Sequence, residues 1–300
     1  MMRHDCYLCF VCVMLLAASC GKEIESSVHQ NISQPDCVIS FVDERVATKS
    51  YSENTVTEVR QNGFGIACVT DRNVTVFNEK AEWNSSASAY FTKNGTYYFP
   101  AEGTVSFYGV YPFSQSVSIS SGAASLSYSQ DPSLDLLAVK KTGVSGGSSP
   151  VSLSFDHILS LVHFKAIGLD DKSVFKVKSI SIDVPESGTF TYGDYTWSCA
   201  GTKNESCFSG EKVLSGVTEI PSAVSFVPCA PTVHVSWETY GQDGITLIAE
   251  YSTTKKLDVA LAMGEECTVT LKLPNKDAQE MMMTVEVKPW TSTEKELDLN

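Results

Sequence analysis

Apolar and polar residues alternate along most of this chain with a period of two, which is the pattern of half-buried β-strands. The alternation is clear at Val105–Tyr111, Leu161–Ala166 and Val174–Val184. Helical periodicity is almost absent, and the best short candidates are Asp131–Ala138 and Asp156–Leu161. Many short strands between Gly, Ser, Asn and Pro turns predict an all-β protein built of sandwiches or barrels.

The alternation continues on both sides of a Gly- and Ser-rich stretch at Lys141–Pro150, which predicts a loop. The further strand candidates are Cys37–Val42, Gly63–Val69, Val74–Phe77, Thr96–Phe99, Val151–Phe155, Val224–Val227, Val233–Trp237, Thr246–Tyr251, Cys267–Leu273 and Met283–Val287. A chain of 300 residues is long enough for two domains of ordinary size. We place the boundary near residue 160, which gives an N-terminal domain at 46–160 and a C-terminal domain at 161–300.

The first twenty residues have a different character from the rest of the chain. Arg3 lies in a short polar start, and an apolar run follows from Cys6 to Ala18. This run is shorter than the stretch of about 20 residues that crosses a membrane as a helix. A basic start, a short apolar core and a small-residue exit are typical of a secretory signal peptide. We therefore predict that residues 1–19 are a signal peptide.

The exit of this segment, Leu16-Ala17-Ala18-Ser19-Cys20, resembles a bacterial lipobox. The resemblance implies that the chain is cut before Cys20 and that a diacylglycerol, with palmitate-type chains, is attached to its thiol. Each buried methylene of a lipid contributes roughly 0.8 kcal/mol, so two or more chains anchor a protein stably. Lys22 followed by acidic residues resembles the signal that sends lipoproteins of Bacteroides-type bacteria to the outside of the outer membrane. The alternative is an ordinary signal peptide that leaves Cys20 as a plain thiol.

Charge and cysteine content narrow the range of functions. With 22 Lys and Arg against 35 Asp and Glu, the net charge is −13, which argues against nucleic-acid binding because phosphate requires clustered cations.

Beyond residue 20 the cysteines are Cys37, Cys68, Cys199, Cys207, Cys229 and Cys267. An even number in an exported chain permits disulfides, and Cys199–Cys207 would close a local loop. The alternative is that several are small buried residues.

Residues that would indicate an enzyme are missing from the sequence. No pair of cysteines has CxxC spacing, so a structural zinc site is not expected. The chain has no G-x-S-x-G, H-E-x-x-H, phosphate-binding or dinucleotide-binding motif. We therefore predict no catalytic residues, no metal and no cofactor. Asp156-His157 is better explained as a structural pair than as a catalytic one.

Aromatic residues are concentrated in one part of the N-terminal domain. The group consists of Trp83, Tyr90, Phe91, Tyr97, Tyr98, Phe99, Phe107, Tyr108, Tyr111 and Phe113. If they are exposed, they could stack on sugars or anchor a protein partner. If they are buried, they form the core of a sandwich.

An ordered set of segments resembles the fimbrillin family. The segments are Phe64–Cys68, Trp83-Asn84, Tyr97–Pro100, Val105–Pro112, Asp135–Ala138, Leu153–Ser160, Val162–Lys165, Met263-Gly264, Cys267–Leu273 and Val285–Trp290. The resemblance implies two β-sandwich domains of the transthyretin-like kind and export as a lipoprotein precursor. It also implies that an arginine-specific protease removes the lipidated leader and first strand, residues 20–45. The matching cut lies between Arg45 and Val46, and Arg60 is the other candidate.

The same resemblance implies a pilus subunit that assembles by donor-strand exchange and supports adhesion. Its partners would be other pilus subunits, the outer membrane through the lipid on Cys20, and a host protein or glycan. In stalk subunits of this family the donated strand is C-terminal. The alternating run from Met281 to Val287 is a candidate for that strand, or else the last strand of the second domain. The alternative function is a surface lipoprotein that binds glycan or host protein without polymerising.

Overall fold

The computed structural model of this protein describes residues 38–46, 55–275 and 280–290, and nearly all of its regular elements are β-strands. In the first half they are β1 (Phe41–Val46), α1 (Thr55–Asn62), β2 (Phe64–Thr70), β3 (Thr75–Asn84), β4 (Ala89–Thr92), β5 (Val105–Tyr111), β6 (Val117–Ser120), β7 (Ala123–Ser129), β8 (Leu137–Val144) and β9 (Val151–His157). In the second half they are β10 (Ser160–Gly168), β11 (Val174–Val184), β12 (Ser187–Thr191), β13 (Thr196–Ala200), β14 (Lys203–Val213), β15 (Thr218–Phe226), β16 (Thr232–Tyr240), β17 (Leu247–Lys256), β18 (Glu265–Leu273) and β19 (Met282–Pro289).

Seven strands of the first half close into a barrel in the order β1-β4-β3-β2-β5-β8-β9. Neighbouring strands are antiparallel except for β1 and β9, which run parallel and complete the closure. Side chains that alternate along a strand point to opposite faces, so every second residue enters the barrel. The interior is filled by aromatic rings, among them Phe64, Phe107 and Phe155, each of which is at most 2% exposed. Closure leaves this group of strands without a free edge apart from the strand ends.

Most of the second half forms a sandwich of two four-stranded sheets, ordered β15-β10-β18-β19 and β14-β11-β16-β17. Alternation is regular along β16, where Val233, Val235 and Trp237 are buried and the residues between them are half-buried. Along β11 the alternation changes phase between Val177 and Ile180, at a register irregularity. The inward residues of the two sheets form one apolar core. The sandwich therefore follows from the period-two pattern of its strands.

A third sheet, ordered β13-β12-β7-β6, joins residues from both halves of the chain. Tyr192 donates its hydroxyl hydrogen to the carbonyl of Gly109 at 2.8 Å. The indole N–H of Trp197 donates to the carbonyl of Ile158 at 2.7 Å, and Trp290 stacks on His157 with ring centroids 4.0 Å apart. The barrel and the sandwich are consequently joined by a shared sheet and by buried aromatic contacts.

The prediction of an all-β protein is confirmed, and the details differ in three ways. Seven strands of the first half close into a barrel, while β7 pairs with β12, which comes after residue 161, and β6 pairs with β7. The helix candidates at Asp131–Ala138 and Asp156–Leu161 are wrong, since both segments lead into or belong to strands. The helix that is present, α1, is mostly polar. None of the described helical residues forms a segment long and apolar enough to span a bilayer.

Gly109 in the centre of β5 offers a test of the barrel packing. A Cβ at this position would lie 2.6 Å from Cγ1 of Val139 and 3.3 Å from both Ile66 and Phe155. We expect Gly109→Val to lower the free energy of unfolding by about 1–3 kcal/mol through overpacking, measured by urea denaturation. Gly147→Val is the matched control, because nothing lies within 4 Å of that Cβ. Equal stability of the two variants would contradict the described packing.

Candidate functional site

The feature of the barrel that bears on function is the position of β1 between β4 and β9. Its register with β9 runs from Phe41 opposite Val151 to Val46 opposite Phe155. Just before the strand, the N–H of Ile39 donates to the carbonyl of Tyr97 at 2.9 Å, and the N–H of Val151 donates to the carbonyl of Ser40 at 2.8 Å. We call the space that β1 fills the β1 slot. Its walls offer backbone hydrogen bonds on both sides.

The β1 slot is apolar at its centre. Ile39 and Phe41 are at most 1% exposed. The ring of Phe41 lies edge-on to Phe107, with centroids 5.2 Å apart, and to Phe64 at 6.2 Å. Edge-to-face aromatic pairs contribute about 0.5–1.5 kcal/mol beyond the area that they bury. Phe41 is therefore the main apolar anchor of this strand.

An ion pair holds the C-terminal part of β1 in place. The carboxylate of Asp43 lies 3.2 Å from the guanidinium of Arg60 on α1, and that guanidinium lies 4.5 Å above the ring of Trp83. Tyr90 on β4 pairs with Phe41 and is buried next to this ion pair. Burial, together with the Asp43 carboxylate, raises the pKa of Tyr90 to about 12. Its hydroxyl consequently stays protonated at neutral pH.

The predicted processing position lies at the end of β1, beyond the residue at which the sequence placed the end of this strand. The backbone of Arg45 pairs with Ser154 and that of Val46 with Phe155, after a register irregularity between Asp43 and Arg45. The sequence had placed the end of this strand at Val42. A protease that cuts between Arg45 and Val46 must therefore act on a chain whose last β1 residues have separated from β9, or act before they pair. Cleavage at this bond stays a prediction.

Arg60, the other candidate, lies in a different environment. It is in the last turn of α1, and its side chain contacts Asp43 and Trp83. A helical segment does not offer the extended backbone that a protease binds. Arg60 is better described as a residue that holds β1 against the barrel.

The other predicted site residues are separate from the β1 slot. Cys20 lies outside the described residues. Cys199 and Cys207 lie on β13 and β14, in different sheets, and both are free thiols in the structure, so a disulfide between them stays a prediction. Burial, together with nearby Glu205, raises the pKa of Cys207 to about 12, which keeps this thiol protonated and unreactive.

One polar cluster on the sandwich has the residue types of a nucleophile, a base and an acid. Nδ1 of His234 lies 2.9 Å from the hydroxyl of Thr254, and its Nε2 lies 2.8 Å from the carboxylate of Asp183. These residues lie on the open face of a sheet, where backbone N–H groups point along the sheet and not towards the face. The face thus offers no oxyanion hole of the kind that acyl transfer requires. Among the described residues, no three His, Cys, Asp or Glu side chains are placed to hold a metal.

Most of the aromatic group belongs to the barrel core. Tyr90, Phe99, Phe107 and Tyr111 are buried, while Tyr98 and Phe113 are 44% and 46% exposed. Rings that fill the interior are not available to stack on a ligand. The concentration of aromatic residues therefore reflects the packing around β1.

Comparison with known proteins places this architecture in a family. A family model described as fimbrillin-like matches residues 48–290. The chain belongs to the fimbrillin-like family. The matched range contains every described element of this fimbrillin-like chain from α1 to β19, and β1 precedes it. A search of curated proteins found no match.

Solved structures share the fold at low sequence identity. A fimbrial protein from Bacteroides vulgatus superposes with a TM-score of 0.64 at 14% identity, covering 85% of this fimbrillin-like chain and 100% of the other. A candidate cell adhesion protein from Bacteroides uniformis superposes with a TM-score of 0.54 at 13% identity, covering 85% and 98% of the two chains. At such identities the comparison establishes the fold.

Phe41 offers a direct test of how strongly the β1 slot depends on its anchor. We expect Phe41→Ala to lower the free energy of unfolding by about 3–5 kcal/mol, because it leaves a cavity between Phe64 and Phe107. Phe113→Ala is the matched control, since this ring is 46% exposed, and we expect it to change stability by about 0.5 kcal/mol or less. Urea denaturation measures both. A small effect of Phe41→Ala would contradict the assignment of Phe41 as the anchor.

The ion pair between Arg60 and Asp43 should slow the release of β1. We expect Arg60→Gln to increase the rate of arginine-specific cleavage after Arg45 about 1.4- to fivefold, which corresponds to the 0.2–1 kcal/mol typical of an exposed ion pair. Arg72→Gln is the control, because Arg72 is exposed and lies on the turn after β2. Mass spectrometry of time points measures the rates. An unchanged rate in Arg60→Gln would show that α1 does not restrain β1.

Proposed function

We propose that this protein is the precursor of a subunit of a cell-surface pilus, and that β1 is the strand replaced during assembly. The observation that carries the proposal is the position of β1: one short strand fills the gap between β4 and β9 and buries Phe41. Membership of the fimbrillin-like family supports a role in fimbriae. The family match also begins at residue 48, two residues after the proposed cut between Arg45 and Val46.

Removal of β1 would expose two kinds of surface at once. The backbone groups of β4 and β9 that pair with β1 would become unpaired, and an edge with open N–H and C=O groups is a template for another strand. The space vacated by Phe41 would also open among Phe64, Phe107 and Tyr90. A strand donated by a neighbouring subunit would satisfy both, with backbone hydrogen bonds for affinity and an apolar side chain for specificity.

The geometry of donation favours a filament. A subunit that gives a strand to one neighbour and receives a strand from another makes a head-to-tail contact, and such contacts do not close unless the rotation brings the ends together. Before cleavage, β1 occupies its own slot and keeps subunits from polymerising early. Lipid on Cys20 would hold this precursor at the outer membrane until the leader is removed.

The C-terminal run proposed as a donor strand has a different role in this subunit. β19 pairs along its length with β18, from Met282 opposite Lys272 to Pro289 opposite Glu265. Trp290, which follows it, is 3% exposed and stacks on His157. The run from Met281 to Val287 is therefore the last strand of the sandwich. Stalk, tip and anchor positions all remain compatible with the proposal.

The experiment is to cut the purified precursor with an arginine-specific protease and follow the products. We expect mass spectrometry to find a new N-terminus at Val46 and electron microscopy to find filaments or ladders of subunits after the cut. Arg45→Gln should remain uncut at this bond and form no filaments, while Arg72→Gln should behave as the wild type. These variants separate cleavage at β1 from general proteolysis.

Two results would count against the proposal. A protein that is cut at Arg45 and forms no filaments or ladders at high concentration would contradict a stalk role through strand exchange. It would favour a surface protein that binds glycan or a host protein without polymerising, which a glycan array with the uncut monomer would detect. A protein without a discrete cut near Arg45 would contradict processing at β1.

A further inference from the structure

The sandwich of the second half has an open edge at β17. This strand pairs with β16 on one side, and within the described part of the chain no strand pairs with it on the other. It has ten residues, Leu247–Lys256, and contains no proline. Natural proteins usually shield such an edge with a short strand, a bulge, a proline, charged side chains or a covering loop, and of these β17 has charged side chains. β17 is long and regular from Ala249 to Lys256.

The hydrogen bond that follows β17 shows which backbone groups face outwards. The N–H of Leu257 donates to the carbonyl of Pro231, and the register places Lys256 opposite Thr232. Residues in an antiparallel pair alternate between hydrogen-bonded and non-hydrogen-bonded positions. Leu257 occupies a hydrogen-bonded position, so every second residue before it also bonds to β16. The backbone groups of the intervening residues point away from the sheet, and these residues are Glu250, Ser252, Thr254 and Lys256.

Side chains at this edge carry charges that the described residues of their own chain leave unmatched. Glu250 lies directly opposite Glu238 on β16, and like charges in that arrangement are destabilising. Glu238 accepts a hydrogen bond from Tyr240 and lies 3.4 Å from Lys178. Within the described residues Glu250 makes no ion pair, and neither does Lys256 at the far end of the strand. An acidic and a basic residue are thus available at opposite ends of one open strand.

We propose that β17 pairs with β17 of a second copy of this chain, antiparallel and about a two-fold axis at Thr253. In this register Glu250 faces Lys256 of the partner subunit, and Ser252 faces Thr254 of the partner subunit. All four of these residues have outward backbone groups, so each pair exchanges two hydrogen bonds. The same register repeats each ion pair on both sides of the axis, as an isologous interface requires. The two sheets become one continuous sheet of eight strands.

Exposed apolar residues at the two ends of β17 also favour a second copy of this chain as its partner. Leu247 and Ile248 are 47% and 56% exposed, and Val259 beyond the other end of the strand is 41% exposed. The proposed register brings Leu247 towards Val259 of the partner subunit. Burial of these groups contributes about 25 cal/mol for each square ångström removed from water. The edge therefore offers backbone, charge and apolar complementarity to a copy of itself.

The proposal is independent of the β1 slot, because it concerns another edge and needs no cleavage. Sedimentation equilibrium of the uncut protein measures it directly. We expect a monomer–dimer equilibrium in the micromolar range for the wild type. Glu250→Lys should weaken the dimer about tenfold, because Lys would then face Lys256 of the partner subunit on both sides of the axis. Lys256→Glu should weaken it similarly.

The decisive variant combines the two changes. Glu250→Lys with Lys256→Glu restores opposite charges across the axis, and we expect its dissociation constant to return to within about threefold of the wild type. Glu102→Lys is the matched control, since it makes the same charge change on an exposed loop residue of the barrel. Thermal unfolding of each variant checks that its fold is retained.

A backbone variant tests the strand pairing itself. Ser252→Pro removes an outward N–H that β16 does not use, so it is compatible with an edge strand and incompatible with the dimer. We expect this variant to be folded and monomeric. A wild-type protein that is monomeric at all concentrations would overturn the proposal. A dimer that is insensitive to Ser252→Pro and to the single charge changes would also overturn it, because the copies would then associate through another surface.

Discussion

The insertion of β1 between β4 and β9 is the interaction on which the rest of the barrel depends. Phe41 is fully buried against Phe64 and Phe107, and the backbone just before it is hydrogen-bonded to Tyr97 on one side and to Val151 of β9 on the other. One strand thus supplies closure, core volume and hydrogen bonds together. Because these few residues have so many roles, removal of β1 would leave a specific gap between β4 and β9. That gap has an apolar centre and is bounded by strands with unpaired backbone groups, which are the properties that binding of another strand requires.

The all-β class was predictable because period-two alternation is a local property of the sequence. Val105–Tyr111 and Val174–Val184 are strands with the bounds that their alternation indicates. The elements that were not predicted from the sequence lack this alternation. α1 has the sequence TVTEVRQN, in which Val59 is buried and Arg60 contacts Trp83, so tertiary contacts hold a helix that its own pattern does not indicate. β6 and β7 are rich in serine, and the pairing of β7 with β12 connects residues far apart in the chain.

The candidate site was predictable in part. The family resemblance indicated the region of Arg45 as a processing position, and the alternation indicated a first strand before it. The strand ends at Val46 and not at Val42, because β9 offers parallel partners as far as Phe155 and a bulge near Glu44 lets the pairing continue. Such a parallel partner is more than a hundred residues away, and no local pattern encodes it. The open edge of β17 was likewise invisible in the sequence, since a strand's place in its sheet is set by topology.

We expect the β1 slot to accept a strand from another molecule once its own strand is cut. The most direct measurement is the incorporation of a fluorescent peptide of residues 38–45 into the protein before and after arginine-specific cleavage, followed by fluorescence anisotropy. We expect incorporation approaching one peptide per protein after cleavage and little before it. A peptide with Phe41→Asp should not compete, because the slot would bury an unpaired carboxylate. Equal uptake by cut and uncut protein, or no uptake by protein cut at Arg45, would contradict strand exchange at the β1 slot.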